Sequence, residues 1–242
     1  MRKSLTKGLL IVILLLYSFS TLASAAVSIS SLTFTLNTIP ASNSLSGRIY
    51  ASESGQPLQS GTVIVAEKST AIQNGSYAVK DIPAGVHTIE ISGPYRQQFK
   101  GAVKIEPGAN QQDFMINPHF SQEEIDLLAR ITRAEAEGES ELGKTAVAAS
   151  ILNRVQSERY PSTIAGVVYQ RVNGRYQYSP VADGRINLPP RPTDYQAAFR
   201  ALAGNDPSNG ATGFFNSAKT RDRWVRSHPV TAVIDGHTFF KY

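Results

Sequence analysis

Residues 121–155 read SQEEIDLLARITRAEAEGESELGKTAVAASILNRV. Ser121 followed by Glu124 is a capping box. The serine hydroxyl can accept from the N–H three residues on, and the glutamate can reach back to the serine N–H. Ile125, Leu128 and Ile131 then recur at helical spacing, with Ala134 and Glu135 near the same face. A second helix is expected over about Gly143 to Val155, small and apolar almost all round and therefore buried.

Between these helices stand four glutamates at every second position: Glu135, Glu137, Glu139 and Glu141. Residues two apart on a helix point about 200° from each other, so the four cannot form one patch. Glu137 falls on the wet side. Gly138 is expected to end the helix in the left-handed conformation. Glu139 and Glu141 then precede or start the second helix, where its dipole favours acids. Glu135 falls on the inner, apolar side. A carboxyl there must be paired, with Arg154 as one partner, or lie in a cleft with a raised pKa. The latter suits a general acid near neutral pH. No His lies near and the calcium-loop pattern is absent, so no metal site is expected.

Upstream the period changes. Residues 44–118 hold short β-branched runs separated by turn residues, among them SGRIYAS, GTVIVAE, HTIEISG and AVKIEPG. Asn74-Gly75 between alternating runs is a two-residue hairpin signal. Six or seven such strands suggest a small all-β sandwich. Its six bases balance six acids, His87 is a lone histidine, and no constellation there carries chemistry. Residues 26–43, rich in Ser and Thr, read as a linker. Residues 1–25 read as a secretory signal peptide: Arg2, Lys3 and Lys7, then GLLIVILLLY, then Ala23-Ser24-Ala25. The chain is therefore expected to be exported, to cell wall, periplasm or medium. No other apolar run approaches a membrane span. Loss of the leader lowers the formal charge from +5 to +2, which argues against nucleic-acid binding. The absence of cysteine excludes disulfides, thiolate metal sites and a cysteine nucleophile.

Downstream, blocks of mixed polar and aromatic residues recur among loops, with one further helix around Asp194 to Ala203: RYQYSPVADGR (175–185), ALAGNDPSNGATGFFN (201–216), RWV (223–225) and IDGHTFFKY (234–242). Together with AEAEGE and the GKTAVAASILNRV helix, these blocks stand in the order of the cell-wall hydrolase family of spore cortex-lytic enzymes, which residues 121–242 resemble; the domain itself is taken to span 119–242. SGRIYASESGQPLQSGTVIV and GSYAVKDIPAGVHTIEIS resemble carboxypeptidase-regulatory-like β-sandwich modules, usually spacers or adhesion units.

The resemblance implies an α+β fold of the lysozyme and lytic transglycosylase group, preceded by the small β-sandwich. It implies cleavage of peptidoglycan glycan strands beside N-acetylmuramic acid, with no cofactor. The family's acid falls on Glu135, the residue that the helix argument isolates, and its second acid on Glu139. Asp183 is another candidate second carboxylate, with a turn residue before Gly184 as the plainer reading. Gln177, Tyr178, Ser179, Phe215, Asn216 and His237 are candidates to line a sugar groove, although Tyr178 and Phe215 could equally be core and His237 structural. Trp224 reads as a core packer. The sequence departs from the family pattern at Glu137, Pro180 and Asp235, and in its β-rich N-terminal partner. The expected partners are peptidoglycan strands, and other wall or surface components through the β-sandwich. The rival reading is a wall-binding protein that keeps the groove without turnover. An amidase or peptidase has little support from four scattered histidines at 87, 119, 228 and 237.

Overall fold

Asn74 and Gly75 adopt φ of 50° and 81°, the left-handed pair that a tight hairpin needs, and join two strands of the N-terminal half. The structure, a computed structural model, describes residues 42–242; the leader and nearly all of the linker lie outside the described residues. Eight strands form this half: β1 (Ser44–Ala51), β2 (Ser60–Val65), β3 (Lys68–Gln73), β4 (Ser76–Lys80), β5 (Gly85–Ser92), β6 (Phe99–Ile105), β7 (Ala109–Gln111) and β8 (Phe114–Ile116). Hydrogen bonds link them in the order β6-β5-β2-β3-β4-β1-β7, with β8 also on β1. β3 and β4 share one residue pair, Gln73 with Ser76. Strands on both sides of that pair contribute to one core that includes Leu45, Ile49, Val63, Ile72, Ile89 and Ile116. Period-two burial follows the alternation of the sequence: in β5, Ile89 and Ile91 point inward while Glu90 does not. The β2–β3 turn, Ala66-Glu67, also has both residues at positive φ, a conformation neither residue type favours.

The C-terminal half is helical with a small sheet. Helix α1 (Gln122–Ala136) starts at the capping box: Glu124 N–H donates to Ser121 Oγ at 3.3 Å and Ser121 N–H to Glu124 Oε2 at 3.4 Å. Helix α2 (Glu141–Gln156), capped by Ser140, is buried along nearly its whole length. Then follow α3 (Ile164–Val168), the short ribbon β9 (Arg171–Val172) and β10 (Arg175–Tyr176), α4 (Ser179–Asp183), a 3-10 turn (Arg185–Asn187) and α5 (Pro192–Leu202). β11 (Gly213–Asn216), β12 (Val230–Ile234) and β13 (His237–Phe240) make an antiparallel sheet in the order β11-β13-β12, with α6 (Arg223–Arg226) between its first two strands in sequence. The half is α+β, as expected. Its core gathers Ile125, Leu128, Ile131, Val147, Ile151 and Phe239.

One expectation is corrected. Gly138 does not close α1 in the left-handed region. Glu137 caps the helix in the right-handed conformation, and Glu139 N–H donates to the Ala136 carbonyl at 3.1 Å. The chain leaves as a tight right-handed turn and re-enters α2 within four residues, so the reversal that a left-handed glycine provides is not used.

The two halves are fastened at the C-terminal end of α5. Gln59 N–H donates to the Ala203 carbonyl at 2.8 Å, and Ala203 packs into the β core. Arg96, on the loop before β6, donates to the Leu202 carbonyl at 2.7 Å and to both carboxylate oxygens of Glu53 at 2.7 and 2.8 Å. The arginine side chain is fully buried and Glu53 is 7% exposed. Removing one member of such a pair strands a charge in a low dielectric, whereas replacing both with apolar groups is much milder. Arg96→Ala is therefore expected to lower the unfolding free energy by about 3 kcal/mol, and Arg96→Met with Glu53→Met to recover most of it. Urea unfolding followed by circular dichroism measures both.

Candidate functional site

Glu135 stands one residue before the end of α1, half-buried, and no cation lies within ion-pair distance of it among the described residues. Burial pushes its carboxyl up to about 7. Arg185 pulls it down, Asp183 raises it and Arg154 lowers it, in decreasing order. Desolvation wins because neither arginine touches the carboxylate, and charge attraction weakens with distance and solvent screening. At neutral pH the group is divided between its protonated and ionised forms, which is the state a proton donor and acceptor requires.

Both cations near Glu135 are held by something else. Arg154, on α2, is 8% exposed; its Nε donates to the Thr212 carbonyl at 2.5 Å, and its guanidinium lies 5.1 Å from the rings of both Tyr160 and Tyr178. The expected alternative, Glu135 buried in a pair with Arg154, is not what the geometry shows. Arg185 meets both oxygens of Asp183, Nη2 to Oδ2 at 2.8 Å and Nε to Oδ2 and Oδ1 at 3.0 and 3.1 Å. Its Nη1 donates to the Ala134 carbonyl at 3.0 Å, the residue before Glu135. Nothing in the pattern of the sequence singled out Arg185. The cue available was its place two residues after Asp183, across a left-handed Gly184 (φ 87°) that folds the guanidinium back onto the carboxylate.

The other glutamates separate. Glu137 is exposed and pairs with Arg133 and Arg191. Glu141 starts α2 and pairs with Arg200 at 2.7 Å. Glu139 accepts from Gly236 N–H at 3.0 Å, and its other oxygen lies 3.5 Å from His237 Nδ1. That separation is too long for a hydrogen bond. Burial and Lys219 hold the His237 ring below its ordinary range, against Glu139 and Asp235, so the ring is neutral and the contact is not an ion pair. Asp183 is exposed, and its hydrogen bonds from Arg185 keep its carboxyl below the usual range, hence ionised.

The β12–β13 hairpin is strapped to the start of α2. Asp235 sits at φ 50°, which Asp tolerates before glycine in a tight turn, and its carboxylate accepts from Ser140 N–H at 2.9 Å and Ser140 Oγ at 2.6 Å. A β-carbon on Gly143 would collide with Asp235 Oδ2, so the strap needs glycine there. The aspartate that departs from the family pattern thus has a structural use.

Of the expected groove residues, Gln177 and Ser179 are exposed on the segment entering α4, and Arg185 Nη2 reaches Ser179 Oγ at 3.4 Å. Tyr178 is 3% exposed and points inward beneath Arg154, offering no ring face to solvent. Phe215 and Asn216 are half-buried on β11. Asn216 is paired with His237 across the sheet, and its side-chain oxygen accepts from Ala218 and Lys219 N–H groups. Trp224 is 56% exposed, its ring edge-on to His228 and Tyr242, and does not belong to the core. A cavity of about 500 Å³ opens elsewhere, lined by Asn153, Arg159, Thr212, Lys241 and Tyr242 among others, and does not include Glu135.

Residues 138–240 match the family described as Cell Wall Hydrolase, the matched stretch beginning just after Glu135. A spore cortex-lytic enzyme of Halalkalibacterium halodurans is 38% identical over 120 residues, covering 50% of this chain and 35% of that protein. One from Bacillus cereus is 38% identical over 122 residues, covering 50% and 46%. The chain thus spans less than half the length of these relatives. The solved catalytic domain of the germination-specific lytic transglycosylase SleB from Bacillus anthracis is 37% identical, with 50% of this chain and 97% of that one covered and a TM-score of 0.47. Residues 138–240 thus match a cell wall hydrolase domain, and the C-terminal half is similar in sequence to spore cortex-lytic enzymes.

Proposed function

We propose that the protein cleaves the glycan strands of peptidoglycan beside N-acetylmuramic acid, as a lytic transglycosylase, with Glu135 as its acid. The observation that carries this reading is a half-buried carboxyl, raised to about 7, with two arginines close by and neither paired to it. In its protonated form Glu135 donates to the glycosidic oxygen as the bond to the anomeric carbon breaks. The carboxylate so formed then accepts the proton of the sugar's own 6-hydroxyl as that oxygen attacks the anomeric carbon. One residue serves both steps and the product is a 1,6-anhydro sugar.

Hydrolysis would call for a second carboxylate across the bond. Both candidates are engaged: Glu139 accepts from the backbone of Gly236, and Asp183 is bound by Arg185. This favours the single-acid route. Gln177 and Ser179 are placed to hydrogen-bond the glycan, with Phe215 and Asn216 on the neighbouring strand. Tyr178 and His237 stand behind that surface and shape it. Export through the N-terminal leader puts the enzyme where its substrate is, and the β-rich half acts as a spacer that can meet other wall components.

Purified peptidoglycan digested by residues 26–242 is expected to release anhydro-muropeptides, identified by mass spectrometry. Glu135→Gln is expected to lower kcat/KM by about 10²–10⁴-fold. Reducing-end products alone would mean hydrolysis; binding without any product from the unaltered protein would mean a wall-binding role. The wild-type rate should fall as pH rises through about 7, because the donor form is lost.

The same carboxyl makes a stability prediction. Its folded-state pKa is raised above the ordinary carboxyl value of 4.5, so the protonated group's contribution is fully present below 4.5 and is lost as pH rises through about 7. Glu135→Gln should therefore gain on the unaltered protein between about pH 5 and about pH 8.5. After allowance for solvent screening of a half-buried group, the gain is on the order of 2 kcal/mol, read from urea unfolding at the two pH values.

A further inference from the structure

Arg185 raises a question that its neighbours answer. It carries a permanent charge next to the one carboxyl that must stay unpaired, and its Nη1 is already tied to the Ala134 carbonyl, one residue from Glu135. A guanidinium so anchored already acts on Glu135 through its charge, and an arginine–carboxylate pair would favour the ionised form of the acid. The remaining donors are taken instead by Asp183, which receives Nε and Nη2 together, with Ser179 Oγ at the periphery. The pair is about half exposed on both sides and adds little to stability. Its effect is on direction, because a bidentate contact fixes the plane of the guanidinium.

We propose that Asp183 is a positioning residue: by occupying the Arg185 guanidinium it keeps that cation off Glu135. This rests on Glu135 being the acid, and gives Asp183 a role other than that of a second catalytic carboxylate. The groups that bear on Glu135 are consistent with it. Arg154 reaches it from α2 but is fixed by Thr212 and by the rings of Tyr160 and Tyr178. Tyr178 is buried, and burial raises its hydroxyl, so it brings no charge. Glu137 also acts on Arg185, yet its carboxylate is already paired with Arg133 and Arg191. Asp183 is the carboxylate in contact with Arg185 and, through its charge, is also felt at Glu135.

The test is a double-mutant cycle read in two ways. The variants are Asp183→Asn, Arg185→Gln and both together, in the full chain without its leader. The first reading is the titration of the Glu135 carboxyl by carbon-13 NMR. Asp183→Asn is expected to lower its midpoint by about one pH unit or more while Arg185 is present, and by clearly less, through loss of the Asp183 charge alone, once Arg185 is glutamine. A mere loss of the Asp183 charge would lower the midpoint equally in both backgrounds, and that additive result overturns the proposal. The second reading is the pH profile of kcat/KM on peptidoglycan, whose descending limb should move to lower pH in Asp183→Asn and return in the double variant. A second catalytic carboxylate would instead give a loss at every pH that Arg185→Gln does not rescue. If the unaltered protein cuts no glycan, the proposed function fails, and the NMR cycle still decides whether Asp183 holds Arg185 away.

Discussion

Helix α2 passes through the C-terminal half with little of its surface in water, and most of that half is fixed relative to it. Ala146, Ala148 and Ala149 give it a narrow waist, so that α1 and α5 can approach closely and bury Leu128, Ile131, Ala198 and Ala201 against it. A buried helix tolerates a charge only if the charge is answered. Lys144 donates to Asp194 at 2.6 Å, and Asp194 also accepts from Arg191 N–H at the start of α5. This pair sets how α5 lies along α2, since any shift would strand one of two desolvated charges. The C-terminal end of α2 is tied to the strand segment that follows α5: Asn153 donates to the Ala211 carbonyl at 3.0 Å and Arg154 to that of Thr212. Its N-terminal end holds the β12–β13 hairpin through Ser140 and Asp235.

The site is assembled at the edge of this rigid body, and its electrostatics follow from where the cations are tied. Two arginines lie near Glu135, enough to ionise it fully if either were free to pair. Arg154 is spent on a backbone carbonyl and two aromatic rings, Arg185 on Asp183 and another backbone carbonyl. Desolvation is then the largest influence left, and it raises the acid. The Glu135 carboxyl is thus kept raised by the arrangement of its neighbours' partners as well as by its own burial.

The β-rich half is joined to this body by more than the connecting chain. Gln97 N–H donates to the Asn117 carbonyl at 3.0 Å and His119 N–H to that of Tyr95 at 2.8 Å, so the chain leaves the sheet alongside the loop that carries Arg96. Arg96 and Gln59 then reach the last carbonyls of α5 and the residue after it. These carbonyls have no partner within the helix, and loops of the sheet satisfy them. A β-rich half held in this way keeps a set orientation to the helical half, unlike one on a flexible tether.

Much of this was legible along the chain. The capping box at Ser121, the period of Ile125, Leu128 and Ile131, the all-round apolarity of α2 and the Asn74-Gly75 hairpin are local patterns, and each depends on backbone geometry that neighbouring residues dictate. The same spacing put Glu135 on the inner face and the other three glutamates elsewhere. Whether Glu135 is paired could not be read in that way, because its possible partners, Arg154 and Arg185, come from distant segments, and which groups claim them is settled only in space: Thr212 and two tyrosines for Arg154, Asp183 and the Ala134 carbonyl for Arg185. Gly138 shows the limit on a smaller scale: its freedom to turn left-handed is local, but where the chain must go next is set by how α2 packs. Sequence alone determined the β-rich half, the first two helices and their faces, and placed Glu135 on the inner side; the tertiary structure decided which charges meet, because pairing depends on distance in space and burial, and neither is a property of neighbours in the chain.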